Sequence, residues 1–102
     1  MAKVILRQEA VNDLNEIWLY TFYSWSEKQA DNYYESLENA CMQIGVNPML
    51  GKKYPTINPD LLGFKSGRHI IFYQILNKNE VDVIRILHEQ IDIESKLGNE
   101  DY

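Results

Sequence analysis

The sequence predicts an α+β fold: an N-terminal strand, an antiparallel helical hairpin packed on a roughly four-stranded antiparallel sheet, and a short C-terminal helix. Three observations carry this. Two long stretches after residue 7 repeat their apolar residues at helical spacing. All 3 prolines then fall within residues 47–60, marking one long loop. Beyond it, three short apolar runs are separated by turn-forming residues. A meander of strands carrying a helical hairpin on one face buries both apolar stripes in two layers.

The first element is "KVIL" at residues 3–6, a short apolar run with β-branched members. From about residue 8 to residue 24 the period changes. Val11, Leu14, Ile17, Trp18 and Thr21 recur on one side, with Asp13, Asn15 and Glu16 on the other. Trp18 fits the core stripe, whereas Tyr20 and Tyr23 lie off it and can face a partner or solvent. Ser26 followed by Gln29 reads as the capping box of a second helix. Ala30, Tyr33, Tyr34, Leu37, Ala40, Cys41 and Ile44 form its stripe, and Gly45 is its expected stop. A tight connection between the two makes them an antiparallel pair.

The loop "NPMLGKKYPTINPD" carries Lys52 and Lys53. The strands "LLGFK", "RHIIFYQIL" and "VDVIRIL" follow, joined by "SG" and "NKNE". The middle strand is apolar on both faces, as a central strand should be. "IDIESKL" is a last short helix, ending at Gly98. No repeat or long linker divides the 102 residues, so one domain over 1–102 is expected.

The chain is 45% hydrophobic and 25% charged, which is ordinary for a globular protein. No apolar run approaches the roughly 20 residues of a membrane span, and the N-terminus lacks a signal-peptide pattern. A cytoplasmic protein is expected, and the single Cys41 fits a reducing compartment. The net charge of -5 argues against a general nucleic-acid binder. Its distribution is uneven. Residues 1–51 hold 3 Lys/Arg against 7 Asp/Glu, residues 52–88 hold 6 against 3 plus both histidines, and residues 89–102 hold 1 against 5. A basic segment sits between two acidic ones.

Metal-ligand spacing is absent, because His69 and His88 are 19 residues apart and Cys41 has no neighbouring partner. "GVNPMLGK" lacks the strand–loop–helix context of a phosphate loop. Cys41 lies on an apolar stripe and reads as an inert buried thiol. No cofactor is expected. What remains is a cluster on the last two long strands: Arg68, His69, Tyr73, Arg85 and His88. By alternation His69, Ile71 and Tyr73 share one face, and Arg68, Ile70 and Phe72 the other. Arg85 and His88 face oppositely under strict alternation. Two readings fit these residues. They are the polar ends of core strands, or they form an electropositive surface for a phosphate backbone or an acidic protein face.

Five segments taken together resemble the ParE branch of the ParE/RelE superfamily of toxins in bacterial type II toxin–antitoxin systems. "AVNDLNEIWLYT" is similar to the first-helix signature, with Asp13, Leu14, Ile17 and Tyr20 in place. "WSEKQADNYYESL" matches the opening of the second helix at Gln29, Ala30 and Tyr33. "NPMLGK", "GRHIIFYQI" and "VIRILHEQID" complete the match over about residues 3 to 93. The resemblance implies a compact toxin, associated with plasmid stabilisation and silenced by a cognate antitoxin protein. ParE-like toxins are described as trapping DNA gyrase on cleaved DNA, without an active site of their own. Nucleic acid is then met at most indirectly. The partner surface expected on that reading is Tyr20, Tyr23, Lys52, Lys53, Arg68, His69, Arg85 and His88.

The RelE branch shares the fold but cuts mRNA on the ribosome, so fold alone does not separate the two. For such a nuclease, Arg68 and Arg85 would be the cations, with Tyr73 or His88 as acid or base. The tail argues against this, with one lysine against five acids and Tyr102 as its only tyrosine. An antitoxin-binding protein without toxicity is the third reading. The acidic balance is a departure from the family and implies an antitoxin segment carrying basic residues against the helices, near Glu16 or Glu35.

Overall fold

The computed structural model describes residues 1–97; Gly98 and Tyr102 lie outside the described residues. Strand β1 is Lys3–Leu6, followed by helices α1 (Gln8–Ser24) and α2 (Glu27–Val46). A 3-10 turn at Pro48–Leu50 leads to strands β2 (Lys52–Lys53), β3 (Leu62–Ser66), β4 (His69–Asn77) and β5 (Glu80–His88), then helix α3 (Ile93–Leu97). The five strands run in the order β1-β5-β4-β3-β2. The α+β architecture, the helical pair and the meander are those expected from the sequence.

Two features refine the sheet. A fifth strand, Lys52–Lys53, pairs with Leu62–Gly63 inside the expected loop. β1 lies parallel to β5, with Lys3 opposite Glu80 and Leu6 opposite Val83. Parallel neighbours need a long crossover, and here the helical pair supplies the first part of it. β4 and β5 are antiparallel, but their register slips between Phe72–Arg85 and Tyr73–Val83. Ile84 is the extra residue of this bulge, and it resets the alternation. Val83 and Ile86 both face the helices, while Ile84 and Leu87 face the other side.

The main core lies between sheet and helices. Leu14, Leu37, Ile44, Ile71, Tyr73, Val81, Val83 and Ile86 are its large members. Each fully buried Leu, Ile or Val contributes roughly 1.5–3 kcal/mol. A second cluster occupies the opposite face: Leu61, Ile70, Phe72, Ile84, Leu87 and Leu97, covered by Tyr54, Ile57, Ile91 and Ile93. The long loop and α3 therefore form a partial third layer. This explains why β4 is apolar on both sides.

Ser26 caps α2 as expected, its hydroxyl accepting from the Gln29 N–H at 3.1 Å. Gly45 does not stop the helix, which continues to Val46. A Cβ there would lie 3.0 Å from both the Ala2 carbonyl oxygen and a Val4 methyl, so this glycine permits close approach of α2 to β1. Trp18 is not in the core. It is half-buried, stacked on Phe22 at 5.2 Å, with its N–H on Asp31 at 2.9 Å.

Candidate functional site

The site forms where the β3–β4 turn and the end of β5 meet the tip of the helical pair. The turn needs Gly67, whose φ is +60°. That value suits the first central position of a two-residue hairpin loop. A Cβ there would also strike the Tyr33 ring at 2.7 Å. The turn brings His69 into register with His88 across β4 and β5. Their rings meet edge to face at 5.3 Å.

Tyr33 ties this end of the sheet to α2. Its hydroxyl oxygen accepts from the Arg68 N–H at 3.0 Å and lies 2.6 Å from His69 Nδ1. Ser66 O, the other acceptor in reach, is 3.5 Å away. The shorter distance assigns the phenolic proton to His69 Nδ1, leaving the imidazole proton on Nε2. Burial, and then the neighbouring His88, push His69 down to about 4. It is therefore neutral at physiological pH. Burial pushes the Tyr33 phenol up. His88 is exposed, and its Nδ1 accepts from the Gln90 N–H at 3.1 Å, which leaves Nε2 as its donor.

A pocket of about 390 Å³ opens over this pair. Tyr20, Thr21 and Trp25 from the end of α1 form one wall, Gln29 and Tyr33 of α2 another, and Arg68, His69 and His88 the floor and rim. Tyr20, His69 and His88 also line an adjoining depression of about 330 Å³ that reaches Glu16, Arg85 and Lys96.

Arg85 is committed elsewhere. Its guanidinium grips Asp13 with Nε on Oδ2 at 2.8 Å and Nη2 on Oδ1 at 3.0 Å. Asp13 Oδ2 also accepts the Ile86 N–H at 2.9 Å. The reason is topological. β1 leaves β5 at Val83, where the Arg7 N–H makes the last bond. Beyond it, α1 covers the strand edge, and the Asp13 carboxylate takes the place of a neighbouring strand.

The sequence-predicted residues thus divide. Tyr20, Arg68, His69 and His88 come together, and Arg85 is adjacent but paired. Tyr73 does not join them. It lies four residues along β4 from His69, about 13 Å at strand rise. Its buried hydroxyl donates to Pro48 O and accepts from the Gly51 N–H, both at 2.8 Å. Tyr23 is exposed and packs edge-on against Phe22. Lys52 and Lys53 sit on β2, at the far edge of the sheet. Sequence reasoning missed Trp25, Gln29 and Tyr33 as pocket walls, and Asp13 as the anchor of Arg85. On the sequence Tyr33 is a stripe position and a match to the second-helix opening, with no role at the strand ends. Its signal was a hydroxyl-bearing residue near the start of a helix that packs beside a glycine turn.

A second surface lies on the outer side of the helical pair. This groove, about 930 Å³, is walled by Asn15, Trp18 and Leu19 of α1 and by Asp31, Tyr34, Glu35, Glu38 and Met42 of α2. Leu19 and Met42 are exposed there, and Glu35 and Glu38 form no salt bridge among the described residues. Glu16 faces the other depression. Cys41 is buried in the main core, its thiol pushed up to about 11 by burial and Glu38. Among the described residues, no group of three His, Cys, Asp or Glu is placed to hold a metal ion. No helix there is long and apolar enough to cross a membrane.

Residues 4–93 match the model of the ParE toxin of the type II toxin–antitoxin system parDE. The chain is 30% identical over 96 residues to a protein named Toxin ParE1 of Mycobacterium tuberculosis, covering 94% of this chain and 98% of that protein. It is 29% identical over 93 residues to Toxin ParE1 of Caulobacter vibrioides, covering 91% and 95%. A solved structure described as the chromosomal ParDE TA system from P. aeruginosa superposes with a TM-score of 0.73. That chain is 14% identical, with 86% of this chain and 96% of it covered, a likeness of fold.

Proposed function

This chain belongs to the ParE toxin family of type II toxin–antitoxin systems, and from that premise we propose that it acts in the cytoplasm by trapping DNA gyrase on cleaved DNA. The site geometry supports this over mRNA cleavage. A nuclease would need Arg68, Arg85, Tyr73 and His88 around one phosphate. Only Arg68 and His88 line the pocket. The Arg85 charge is met by Asp13, and Tyr73 is buried with both hydrogen-bonding roles of its hydroxyl taken. The remaining groups suit contact with a partner: exposed aromatics, a cation and an imidazole.

We further infer that a cognate antitoxin holds the toxin silent by docking a basic, amphipathic segment along the outer groove of α1 and α2. Leu19 and Met42 offer apolar contact, and Asp31, Glu35 and Glu38 offer charge complementarity. Such a segment gains its order on binding.

The test is brief induction in bacteria without antitoxin, following labelled thymidine and labelled amino acid incorporation together. DNA synthesis should fall first, and purified gyrase should accumulate cleaved DNA when the protein is added. If protein synthesis falls first, the gyrase reading is wrong and the ribosome is the target. If neither falls while a co-expressed antitoxin still binds, the chain only sequesters antitoxin.

A further inference from the structure

The pocket over His69 and His88 combines features that point to one kind of ligand. Its upper wall is aromatic and open: Tyr20 and Trp25 are each 73% exposed. Apolar surface of that size left in water favours a stacking partner. Its rim is cationic. Arg68 is held by its backbone, N–H on Tyr33 Oη at 3.0 Å and carbonyl on the Glu89 N–H at 2.8 Å. Its guanidinium forms no salt bridge among the described residues. His88 sits beside it with Nδ1 satisfied by Gln90 and Nε2 free to donate. A ligand that fills both halves has a flat aromatic part and an anion a few ångströms away.

We propose that this pocket holds one nucleotide unit of a single-stranded nucleic acid, its base stacked against Trp25 and Tyr20 and its phosphate met by Arg68 and His88. The volume of about 390 Å³ suits one such unit. A duplex is excluded because its bases are already stacked on both faces, whereas a single strand can splay one out. An acidic group alone would engage Arg68 and leave the aromatic wall bare, whereas a nucleotide carries the flat ring and the anion in one unit. Of the chain's carboxylates, Asp31, Glu35 and Glu38 sit on the other groove, Asp13 and Glu89 are paired with Arg85 and Lys65, and Glu16 in the adjoining depression opposes the phosphate. The net charge of -5 keeps the affinity modest. The inference goes beyond the gyrase reading and stands whichever enzyme the toxin contacts.

The test is fluorescence anisotropy of labelled octathymidylate and octauridylate with the full chain, against a duplex of equal length. The single strand should bind at least about tenfold more tightly than the duplex, and Trp25→Ala should weaken it about five- to tenfold. The Arg68→Ala/His88→Ala variant should lose about tenfold and flatten the salt slope by the share of one neutralised phosphate, about -0.7 in log K per log salt. Lys52→Ala/Lys53→Ala, at the far sheet edge, should bind as the parent does. Equal loss in the Lys52/Lys53 variant, equal duplex binding, or no effect of Trp25→Ala would each overturn the proposal. Thermal melts exclude unfolding, and Arg68→Gln/His88→Gln replaces the alanine pair if that pair melts early. Preference for the ribo- or the deoxy-strand identifies the source. A deoxy preference with no gyrase inhibition would sink the gyrase reading and leave the pocket.

Discussion

Asp13→Ala is the sharpest structural perturbation of the site. Asp13 is 8% exposed, and its carboxylate pairs bidentately with Arg85 and caps the Ile86 N–H. Removing one partner of a buried ion pair costs about 3–5 kcal/mol. Arg85 keeps 18% side-chain exposure, so water recovers part of its charge and the lower end applies. An orphaned Ile86 N–H adds about 1 kcal/mol. The expected loss is about 3–4 kcal/mol, or roughly 15–25 °C in Tm for a domain of this size. In urea the midpoint should drop by about 2 M at an ordinary slope. Asp13→Asn keeps one acceptor and should lose about half as much. Asp13→Leu with Arg85→Met removes both charges at once, and it should lie within about 1 kcal/mol of the parent. Denaturation followed by circular dichroism measures all three. A Tm shift under about 5 °C for Asp13→Ala would refute the reasoning. The pair would then be incidental, and Arg85 would return to the list of target-contacting groups.

Three further outcomes are expected. His69 is held down to about 4 from 6.5, so the unfolded chain binds its proton first as pH falls. Stability contributed by neutral His69 is complete above about 6.5, declines through that window and is lost below about 4; His69 should stay neutral by NMR at pH 5. Protonation of His69 at pH 6 would break the assignment. Tyr73→Phe strands Pro48 O and the Gly51 N–H, and it should cost about 1–3 kcal/mol while leaving toxicity of the folded protein intact; abolished toxicity in a stable variant would revive the nuclease reading. Glu35→Lys with Glu38→Lys should weaken antitoxin binding at least about tenfold at low salt, with the difference shrinking as salt rises. Unchanged affinity by calorimetry would move the antitoxin to another face.

The elements were legible because each is written in local pattern. Helical spacing marked α1 and α2, Ser26 marked a cap, and turn residues separated the strands. The sheet's edges were not. Nothing near Lys3–Leu6 reveals a parallel partner, since that pairing depends on the whole chain returning past two helices. The bulge at Ile84 is equally silent, because Val83, Ile84 and Ile86 are alike in kind and only packing selects which residue is extra. Gly45 shows the same limit at one residue. A glycine at a helix end and one at a helix crossing read identically until the neighbour is known. At the site, the sequence marked Arg68, His69, Arg85 and His88 as a polar cluster at strand ends. It gave no means of telling which of two arginines was free. That distinction rests on Asp13, 72 residues from Arg85, which the helical pattern had assigned to the solvent side.

The pairing of Arg85 also resolves the puzzle of an acidic chain with a basic segment. Of the cations between residues 52 and 88, Arg85 is spent on Asp13 and Lys65 on Glu89. Lys52 and Lys53 lie at the far sheet edge. Arg68 is the cation that the β3–β4 turn presents beside the histidines and the exposed aromatics. The surplus carboxylates of α2 gather on the opposite groove. Bulk charge therefore describes neither surface. On the proposed function the protein meets an antitoxin and a target enzyme, and such separation serves those two contacts. Opposite local fields admit one partner to each face and repel it from the other, over distances comparable with the roughly 8–10 Å screening length. On this basis the antitoxin need not cover the His69–His88 pocket to bind tightly. Whether it silences the toxin by blocking that pocket or by holding the helices is decided by one comparison. If octathymidylate binds the toxin–antitoxin complex as it binds the free toxin, silencing acts from the helical face. If binding is lost, the antitoxin reaches across the tip of the hairpin to Trp25 and Tyr20.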